Sequence, residues 1–218
     1  MKREQELFEQ IACFKNLLFA SKKAFRRKQN KGVVQEFCFD LEYELLGLKQ
    51  ELTQGTYKPR SYRTFEVREP KVRKICSSHF RDRVVHHAIC NILEPIFEKR
   101  LISDTYACRV GRGLHVAVKR CQFFTTKNTY FLKCDIRKFF ETIDHGVLKI
   151  LLRRLIKDKR VLSLLDQVID HAVPGYEISK GLPIGNLTSQ HFANLYLGEL
   201  DHFLKDRLRV KSYLRYMD

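Results

Sequence analysis

Apolar residues recur every three or four positions over most of the chain, which predicts a largely helical protein. Residues 4–29 predict one helix, and the next periodic stretch predicts a second helix that ends near Gly55. Gly198 predicts a closely packed neighbour, because glycine inside a helix costs about 1 kcal/mol relative to alanine. The same spacing predicts five further helices: residues 79–100, 114–124 and 158–172, one capped by Asp144, and a long one that Thr188 or Ser189 caps.

Shorter segments predict β-structure, so the expected fold class is α+β. Residues 61–67 and 72–75 flank a turn that contains Pro70, and together they predict a hairpin. Side chains in residues 130–135 alternate between two faces, which is typical of a strand. Residues 213–218 predict another strand, and each of these last two segments ends on an aspartate.

Those two aspartates, Asp135 and Asp218, are the candidate chemistry of the chain. A carboxylate at the end of an apolar strand is costly to bury unless a partner or a metal compensates its charge. For Asp135 alone, the cap of a following helix is an equal alternative. Two carboxylates on neighbouring strands are what a pair of magnesium ions requires when a nucleoside triphosphate is joined to a growing strand. We therefore expect the two acids to share a Mg²⁺ site.

Composition favours a nucleic-acid partner and no membrane. The chain carries 41 Lys and Arg against 25 Asp and Glu, a net charge of +16, which favours a polyanionic partner. No apolar run is long enough for a membrane span, and residues 1–30 lack the apolar core of a signal peptide. Seven scattered Cys without a CxxC pair predict a cytoplasmic protein with neither disulfides nor a zinc site.

Basic residues concentrate in two places. On the predicted hairpin, Lys71 and Arg73 are placed to contact a triphosphate, although basic edge strands also prevent aggregation. The second group of basic residues lies at the end of the first predicted helix and consists of Lys22, Lys23, Arg26, Arg27, Lys28 and Lys31. This N-terminal basic cluster is either a solvated face or a contact to a phosphate backbone.

Motifs in a fixed order resemble those of reverse transcriptases. The segment that ends at Asp135 resembles the first catalytic motif of the palm, and Tyr216-Met217-Asp218 resembles the start of the Tyr-Met-Asp-Asp turn. Residues 80–87, with the basic hairpin before them, resemble the fingers of group II intron and bacterial reverse transcriptases. The resemblance covers roughly residues 55–218.

The resemblance implies a right-hand polymerase fold and RNA-directed DNA polymerase activity. Its substrates would be an RNA template, a DNA primer and dNTPs. The expected domains are an N-terminal helical region (1–56), fingers of helices and a β-hairpin (57–128), and a partial palm with an antiparallel sheet (129–218), with the thumb absent. Because the second aspartate of the turn is not among these residues, we expect them to be inactive by themselves.

The resemblance also assigns roles to individual residues. Asp135, Asp218 and the Ile136 carbonyl would hold Mg²⁺, while Lys71 and Arg73 would contact the incoming triphosphate. Phe140 would exclude a ribose 2′-hydroxyl, although a core phenylalanine is the alternative and Phe139 shows how easily the register shifts. Two loop residues complete the set: Gly185, where the backbone would approach the templating pair, and Ile184, which removes a polar contact there.

Residues 184–190 narrow the family. Most reverse transcriptases carry Gln before this Gly and Ser-Pro at the end of the motif, whereas this chain has Ile184 and Ser189-Gln190. That ending resembles the enzymes of diversity-generating retroelements, in which it accompanies error-prone copying. The alternatives are a retron, group II intron or phage-defence reverse transcriptase, or a noncatalytic RNA-binding module. A small accessory protein is a further expected partner.

Overall fold

The computed structural model describes residue 4 and residues 6–68 and 72–218, and it is mostly helical. In that part of the chain no helix has the length and apolar character needed to cross a membrane. A π-helical turn, Phe203–Arg207, follows the last helix. The elements are α1 (Phe8–Ala12), α2 (Phe14–Phe25), α3 (Gly32–Phe39), α4 (Leu41–Gln54), β1 (Arg63–Arg68), β2 (Val72–Ser77), α5 (Phe80–Glu98), α6 (Leu114–Thr125), α7 (Phe139–Thr142), α8 (His145–Leu155), α9 (Lys159–Ile169) and α10 (Leu187–His202).

Helix α5 is the centre of the fold. It packs against α1, α2 and α3 on the N-terminal side and against α10 on the other. Its apolar residues are buried at helical spacing, as the sequence predicts, and include Val85, Ile89 and Leu93. Asn16 of α2 is also buried there, and its side-chain amide donates to the Ala88 carbonyl at 3.1 Å. The core therefore joins the N-terminal helices to the segment that carries the candidate chemistry.

The two N-terminal helices predicted from periodicity are four helices in the structure. Cys13 has extended backbone angles (φ −67°, ψ 144°) and separates α1 from α2. Asp40, which is neither helical nor extended (φ −106°, ψ 36°), separates α3 from α4. One non-helical residue turns the helix axis but leaves apolar residues almost in phase, so periodicity does not show the break. The predicted end near Gly55 is confirmed, since this glycine adopts a left-handed φ of 71°.

The predicted hairpin is confirmed. Strands β1 and β2 pair antiparallel, with Arg63 opposite Ser77 and Arg68 opposite Val72. Arg73 pairs with Val67 through its backbone, and its side chain is outside what the structure describes. Lys71, the other predicted phosphate-contacting residue, lies outside the described residues. The hairpin accounts for the sheet of this α+β fold among the described residues.

The two predicted palm strands do not form. Residues 129–135 run without a ladder partner in the described part of the chain, and Tyr130 and Leu132 are 90% and 88% exposed. Residues 213–218 form one isolated bridge, at Arg215, instead of a strand. Alternating side chains show which face each residue would occupy if a strand formed. The strand itself forms only where a neighbouring strand can share its backbone hydrogen bonds. The prediction of a palm sheet from these two segments is therefore wrong for this structure.

Helix starts follow the predicted caps in α8 but not in α10. The Asp144 carboxylate accepts from the Val147 amide at 2.9 Å and caps α8 as expected. Helix α10 begins after Asn186, so Thr188 and Ser189 are buried inside it and do not cap it. Gly198 also differs from expectation, because the nearest heavy atom to a Cβ placed there, Leu101 Cδ2, is 4.0 Å away.

Candidate active site

The acid-bearing segment, residues 213–218, lies beside the loop that follows α5. Arg215 forms a parallel bridge with Thr105. Its amide donates to the Asp104 carbonyl at 2.9 Å, and its carbonyl accepts from the Tyr106 amide at 3.1 Å. Two backbone hydrogen bonds therefore hold the segment three residues before Asp218.

The Arg215 side chain enters the interior and pairs with Asp201 of α10. The arginine side chain is 6% exposed, and Asp201 is fully buried. Nε donates to both carboxylate oxygens, at 2.9 and 3.1 Å, while a terminal nitrogen donates to Oδ2 at 2.8 Å. A buried pair of this kind is stable when further hydrogen bonds satisfy its remaining polar atoms.

Neighbouring side chains supply those further bonds. The Tyr213 hydroxyl donates to Asp201 Oδ1 at 2.6 Å, and the Thr105 hydroxyl donates to Oδ2 at 3.1 Å. A terminal nitrogen of Arg215 donates to Asn194 Oδ1 at 3.0 Å. Burial, and then the bond to Asp201, raises the pKa of Tyr213, so the phenol stays a donor. We call these five residues the Arg215 network; it ties the acid-bearing segment to α10.

Met217 and Asp218 follow the network directly. The Met217 backbone has a φ of 71°, in the left-handed region that residues other than glycine seldom adopt. Its carbonyl accepts from the Arg215 guanidinium. Asp218 is half-buried. Asp218, the predicted metal ligand, thus directly follows Met217, whose carbonyl is hydrogen-bonded to the buried Arg215 guanidinium.

Asp104 is a second acid close to this segment, but cations already occupy it. Arg120 Nε donates to its carboxylate at 2.8 Å, Lys205 at 3.2 Å and the Tyr106 hydroxyl at 3.0 Å. Burial acts to raise the pKa of Asp104, and these hydrogen bonds outweigh it, so the pKa is lowered. Asp104 is therefore an ionised structural partner, and its backbone carbonyl supports Arg215.

The other predicted metal ligand, Asp135, lies on the exposed segment before α7. Residues 129–138 are exposed throughout, Asp135 among them. The neighbouring Ile136 carbonyl accepts from the Phe139 amide at 3.3 Å, which leaves it a second lone pair. Lys138 then adopts a left-handed φ of 55° immediately before α7. The carboxylate of Asp135 is accordingly accessible to a metal from solvent.

Phe139 and Phe140 point to different environments. Phe139 is buried in the core, where its ring centroid lies 6.3 Å from that of Tyr196. Phe140 is half-buried and packs against the edge of the core. Its carbonyl accepts from the Leu182 amide at 2.7 Å, which brings Phe140 beside the loop that carries Ile184. The structure thus places two predicted substrate residues on adjoining segments.

The Gly185 loop also contacts the hairpin. Gly185 has a φ of 114°, and a Cβ placed there would lie 3.3 Å from Ile75 Cγ2 of β2. The Ser78 hydroxyl, just after β2, donates to Asn186 Oδ1 at 2.5 Å. Ile184 is half-buried and Gly185 exposed at this junction. The strand that carries Arg73 is thereby joined to the predicted templating loop.

The oxygen donors of the three predicted ligands suit magnesium. Asp135, Asp218 and the Ile136 carbonyl offer only hard oxygen atoms, which Mg²⁺ prefers to nitrogen or sulfur ligands. Within the described ranges, no group of three or more His, Cys, Asp or Glu side chains could hold a metal ion. A shared site for the two acids therefore stays a prediction, with a chemically suitable donor set.

Comparison with solved structures and protein families identifies the fold. The chain superposes on a partial Cas6-RT-Cas1–Cas2 complex with a TM-score of 0.61 over 93% of its length, at 19% identity. That match covers 35% of the other chain and shows a shared fold. A family model described as "Reverse transcriptase (RNA-dependent DNA polymerase)" matches residues 61–218. The chain belongs to the reverse transcriptase family.

Curated relatives of this reverse transcriptase include intron-encoded proteins. Protein YkfC of Escherichia coli is 30% identical over 178 residues, covering 77% of this chain and 47% of its own length. Group II intron-encoded protein LtrA of Lactococcus lactis is 29% identical over 182 residues, covering 80% of this chain and 30% of its own length. The chain thus spans about half, or less, of the length of these relatives.

The Arg215 network is the part of the site that sequence reasoning missed. The predicted inner stripe of α10 contained apolar residues, whereas Asn194 and Asp201 are buried beside it. A signal was present, because these polar residues lie seven positions apart and so share one helix face. Arg215, immediately before the Tyr-Met-Asp motif, is the basic partner that this face requires.

Proposed function

We propose that this chain contains the fingers (57–128) and part of the palm (129–218) of an RNA-directed DNA polymerase that makes cDNA, preceded by an N-terminal helical region (1–56). The observation that carries the proposal is the acid-bearing segment, whose Tyr216-Met217-Asp218 motif is held against α10 by buried hydrogen bonds. The family match over residues 61–218 supports the same activity. The substrates are an RNA template, a DNA primer and dNTPs.

In this proposal Asp135, Asp218 and the Ile136 carbonyl hold magnesium. When bound, Mg²⁺ activates the primer 3′-hydroxyl and neutralises charge on the leaving pyrophosphate. Asp135 supplies a carboxylate accessible from solvent, and Asp218 supplies one at the end of the held segment. The chain's own part is to bring two anionic oxygen ligands to one place.

The incoming nucleotide would lie between the hairpin and the Gly185 loop. Lys71 and Arg73 would neutralise its phosphoryl oxygens, since both are cationic and Arg73 belongs to β2 of the hairpin. Phe140 would exclude a ribose 2′-hydroxyl, and Ile184 with Gly185 would face the templating pair. The contact between Gly185 and Ile75 of β2 supports this placement, because it joins the hairpin to the loop.

Among reverse transcriptases, we assign the chain to the diversity-generating type. Ile184 and Ser189-Gln190 support this assignment. A small accessory protein and a cytoplasmic location are part of the same proposal. A group II intron enzyme is the second candidate, because LtrA is among the relatives. A template repeat beside the gene would favour the first candidate, and an intron around the gene would favour the second.

Primer extension by the protein expressed from its whole reading frame tests the activity. With an RNA template, a DNA primer, dNTPs and Mg²⁺, we expect extension by the wild type and none by Asp135→Asn or Asp218→Asn, because either change removes an anionic metal ligand. Asp40→Asn is the matched control, since Asp40 is an exposed acid between α3 and α4. Full extension by either of the first two variants would contradict the metal assignment.

RNA binding separates the enzyme from a noncatalytic RNA-binding module. Binding of the template is measured by fluorescence anisotropy for the wild type and for Asp135→Asn. The enzyme predicts that binding survives this change while extension is lost, since Asp135 contacts metal rather than the RNA backbone. Binding by the wild type without any extension would instead support the module.

A further inference from the structure

The acid-bearing segment ends in a backbone geometry that its own sequence does not favour. Met217 has a φ of 71° and carries a Cβ, so this conformation is sterically disfavoured and needs support from its surroundings. The Met217 carbonyl belongs to the peptide group whose nitrogen is that of Asp218. Whatever holds this carbonyl therefore fixes the peptide plane that contains the Asp218 nitrogen and Cα, from which the Asp218 side chain extends.

Arg215 supplies that support from the interior. One terminal nitrogen donates to both the Met217 carbonyl and Asn194 Oδ1, while the rest of the guanidinium is taken up by Asp201 and by the Asn194 carbonyl. The Arg215 guanidinium is thus held by residues of α10 and reaches the Tyr216-Met217-Asp218 motif from one side. A lysine in its place has a single nitrogen and cannot bond Asp201, Asn194 and Met217 in these directions at once.

The charged groups in and around the Arg215 network have their partners within the structure. Asp201 receives Arg215, Tyr213 and Thr105, and it is fully buried, so its charge is compensated within the network. Asp104, the next acid, is occupied by Arg120 and Lys205. The Arg215 guanidinium is therefore directed to Asp201, to Asn194 and to the Met217 carbonyl.

We propose that Arg215 is a positioning residue for the metal site, acting through the Met217 carbonyl to set the orientation of Asp218. The inference rests on the proposed function, in which Asp218 is a magnesium ligand. Asp201 and Asn194 act one step further away, since they hold the guanidinium in place. The role is distinct from general stability, because it concerns the geometry of one peptide group.

Magnesium dependence of primer extension tests the role, with Arg215→Lys in the whole-reading-frame protein. We expect the half-saturating Mg²⁺ concentration to rise about tenfold, because loss of a residue that orients a metal ligand weakens metal affinity. The rate at saturating Mg²⁺ should fall by less. Arg81→Lys is the matched control: its side chain is 7% exposed and pairs with Glu51, far along the chain from the motif.

Hydrogen exchange provides a readout that needs no activity. In Arg215→Lys the amide at position 215 and the Tyr106 amide, whose backbone hydrogen bonds hold the segment, should exchange about tenfold faster than in the wild type, and in Arg81→Lys they should be unchanged. Should Arg215→Lys fail to fold, Asn194→Ala replaces it. This variant keeps the Arg215–Asp201 charge pair and removes one acceptor of the nitrogen that reaches the Met217 carbonyl, and its magnesium shift should be about threefold in the same direction.

The outcomes separate this inference from the proposed function. Wild-type extension that requires Asp218, combined with an unchanged magnesium midpoint and unchanged exchange in folded Arg215→Lys, overturns the positioning role alone. Equal magnesium shifts in Arg215→Lys and Arg81→Lys also overturn it, since they would report a loss of stability. Absence of extension by the wild type overturns the proposed function and this inference together.

Discussion

Charged and aromatic side chains in this molecule differ in role according to how each is surrounded. Arg215 and Asp201 are buried and fully hydrogen-bonded, so removal of either partner would leave an uncompensated charge at a cost of about 3–5 kcal/mol. Phe139 and Phe140 are neighbours with ring centroids 5.6 Å apart, yet only Phe139 is buried. Phe140 is therefore the ring that a nucleotide could reach.

Sugar discrimination tests that difference between the two rings. We expect Phe140→Ala to increase incorporation of ribonucleotides relative to deoxynucleotides, by about tenfold or more, because the change removes the bulk that would meet a 2′-hydroxyl. Ratios of kcat/KM for dNTP and rNTP, measured with the whole-reading-frame protein, check this. Phe139→Leu is the control and should lower stability without changing the ratio. An unchanged ratio in Phe140→Ala would make Phe140 a core residue only.

The helices and the hairpin of this fold could be predicted from the sequence where the residues of an element are enough to define it. Helices α5, α6, α8 and α9 follow from apolar spacing, and the hairpin follows from β-rich segments around a turn. The segments before Asp135 and Asp218 were mispredicted as strands, because a strand also depends on a partner elsewhere in the chain. The hairpin contact at Gly185 and the buried bonds of Arg215 depend on tertiary packing and leave little trace in local sequence.

Gly198 in α10 tests how much stability a glycine inside a helix costs where no close contact requires it. Because space is free at Gly198, Gly198→Ala should stabilise the protein by about 0.5–1 kcal/mol through helix propensity. In the 218-residue chain this corresponds to a rise in Tm of about 1–4 °C by thermal denaturation. Gly181→Ala should do the opposite, since Gly181 has a φ of 83° and a Cβ there would clash with Tyr176. A lower Tm for Gly198→Ala would show that the helix needs glycine there.

The whole molecule carries an excess of positive charge. Part of this charge is concentrated in the N-terminal basic cluster, next to α5. Burial, followed by the nearby charges of Arg83 and Lys31, lowers the pKa of Lys28. Burial, followed by Lys28 and Lys23, lowers the pKa of His87 to about 4, so this histidine is neutral at pH 7. Cations that repel one another in this way favour an anionic partner, and a phosphate backbone is one that the proposed function supplies.

Salt dependence of RNA binding tests that partner. For single-stranded RNA, log K should fall linearly with log salt concentration, with a slope of about −0.7 for each phosphate contact. The double variant Lys28→Gln/Lys31→Gln should flatten the slope by about 1.4, because two cations no longer displace counterions. Lys157→Gln/Lys159→Gln is the control of equal charge, since both residues are exposed at the start of α9 and distant in sequence from the cluster. Equal flattening by the two pairs would mean that net charge alone attracts RNA, whereas an effect confined to Lys28 and Lys31 would place the backbone against α2 and α5.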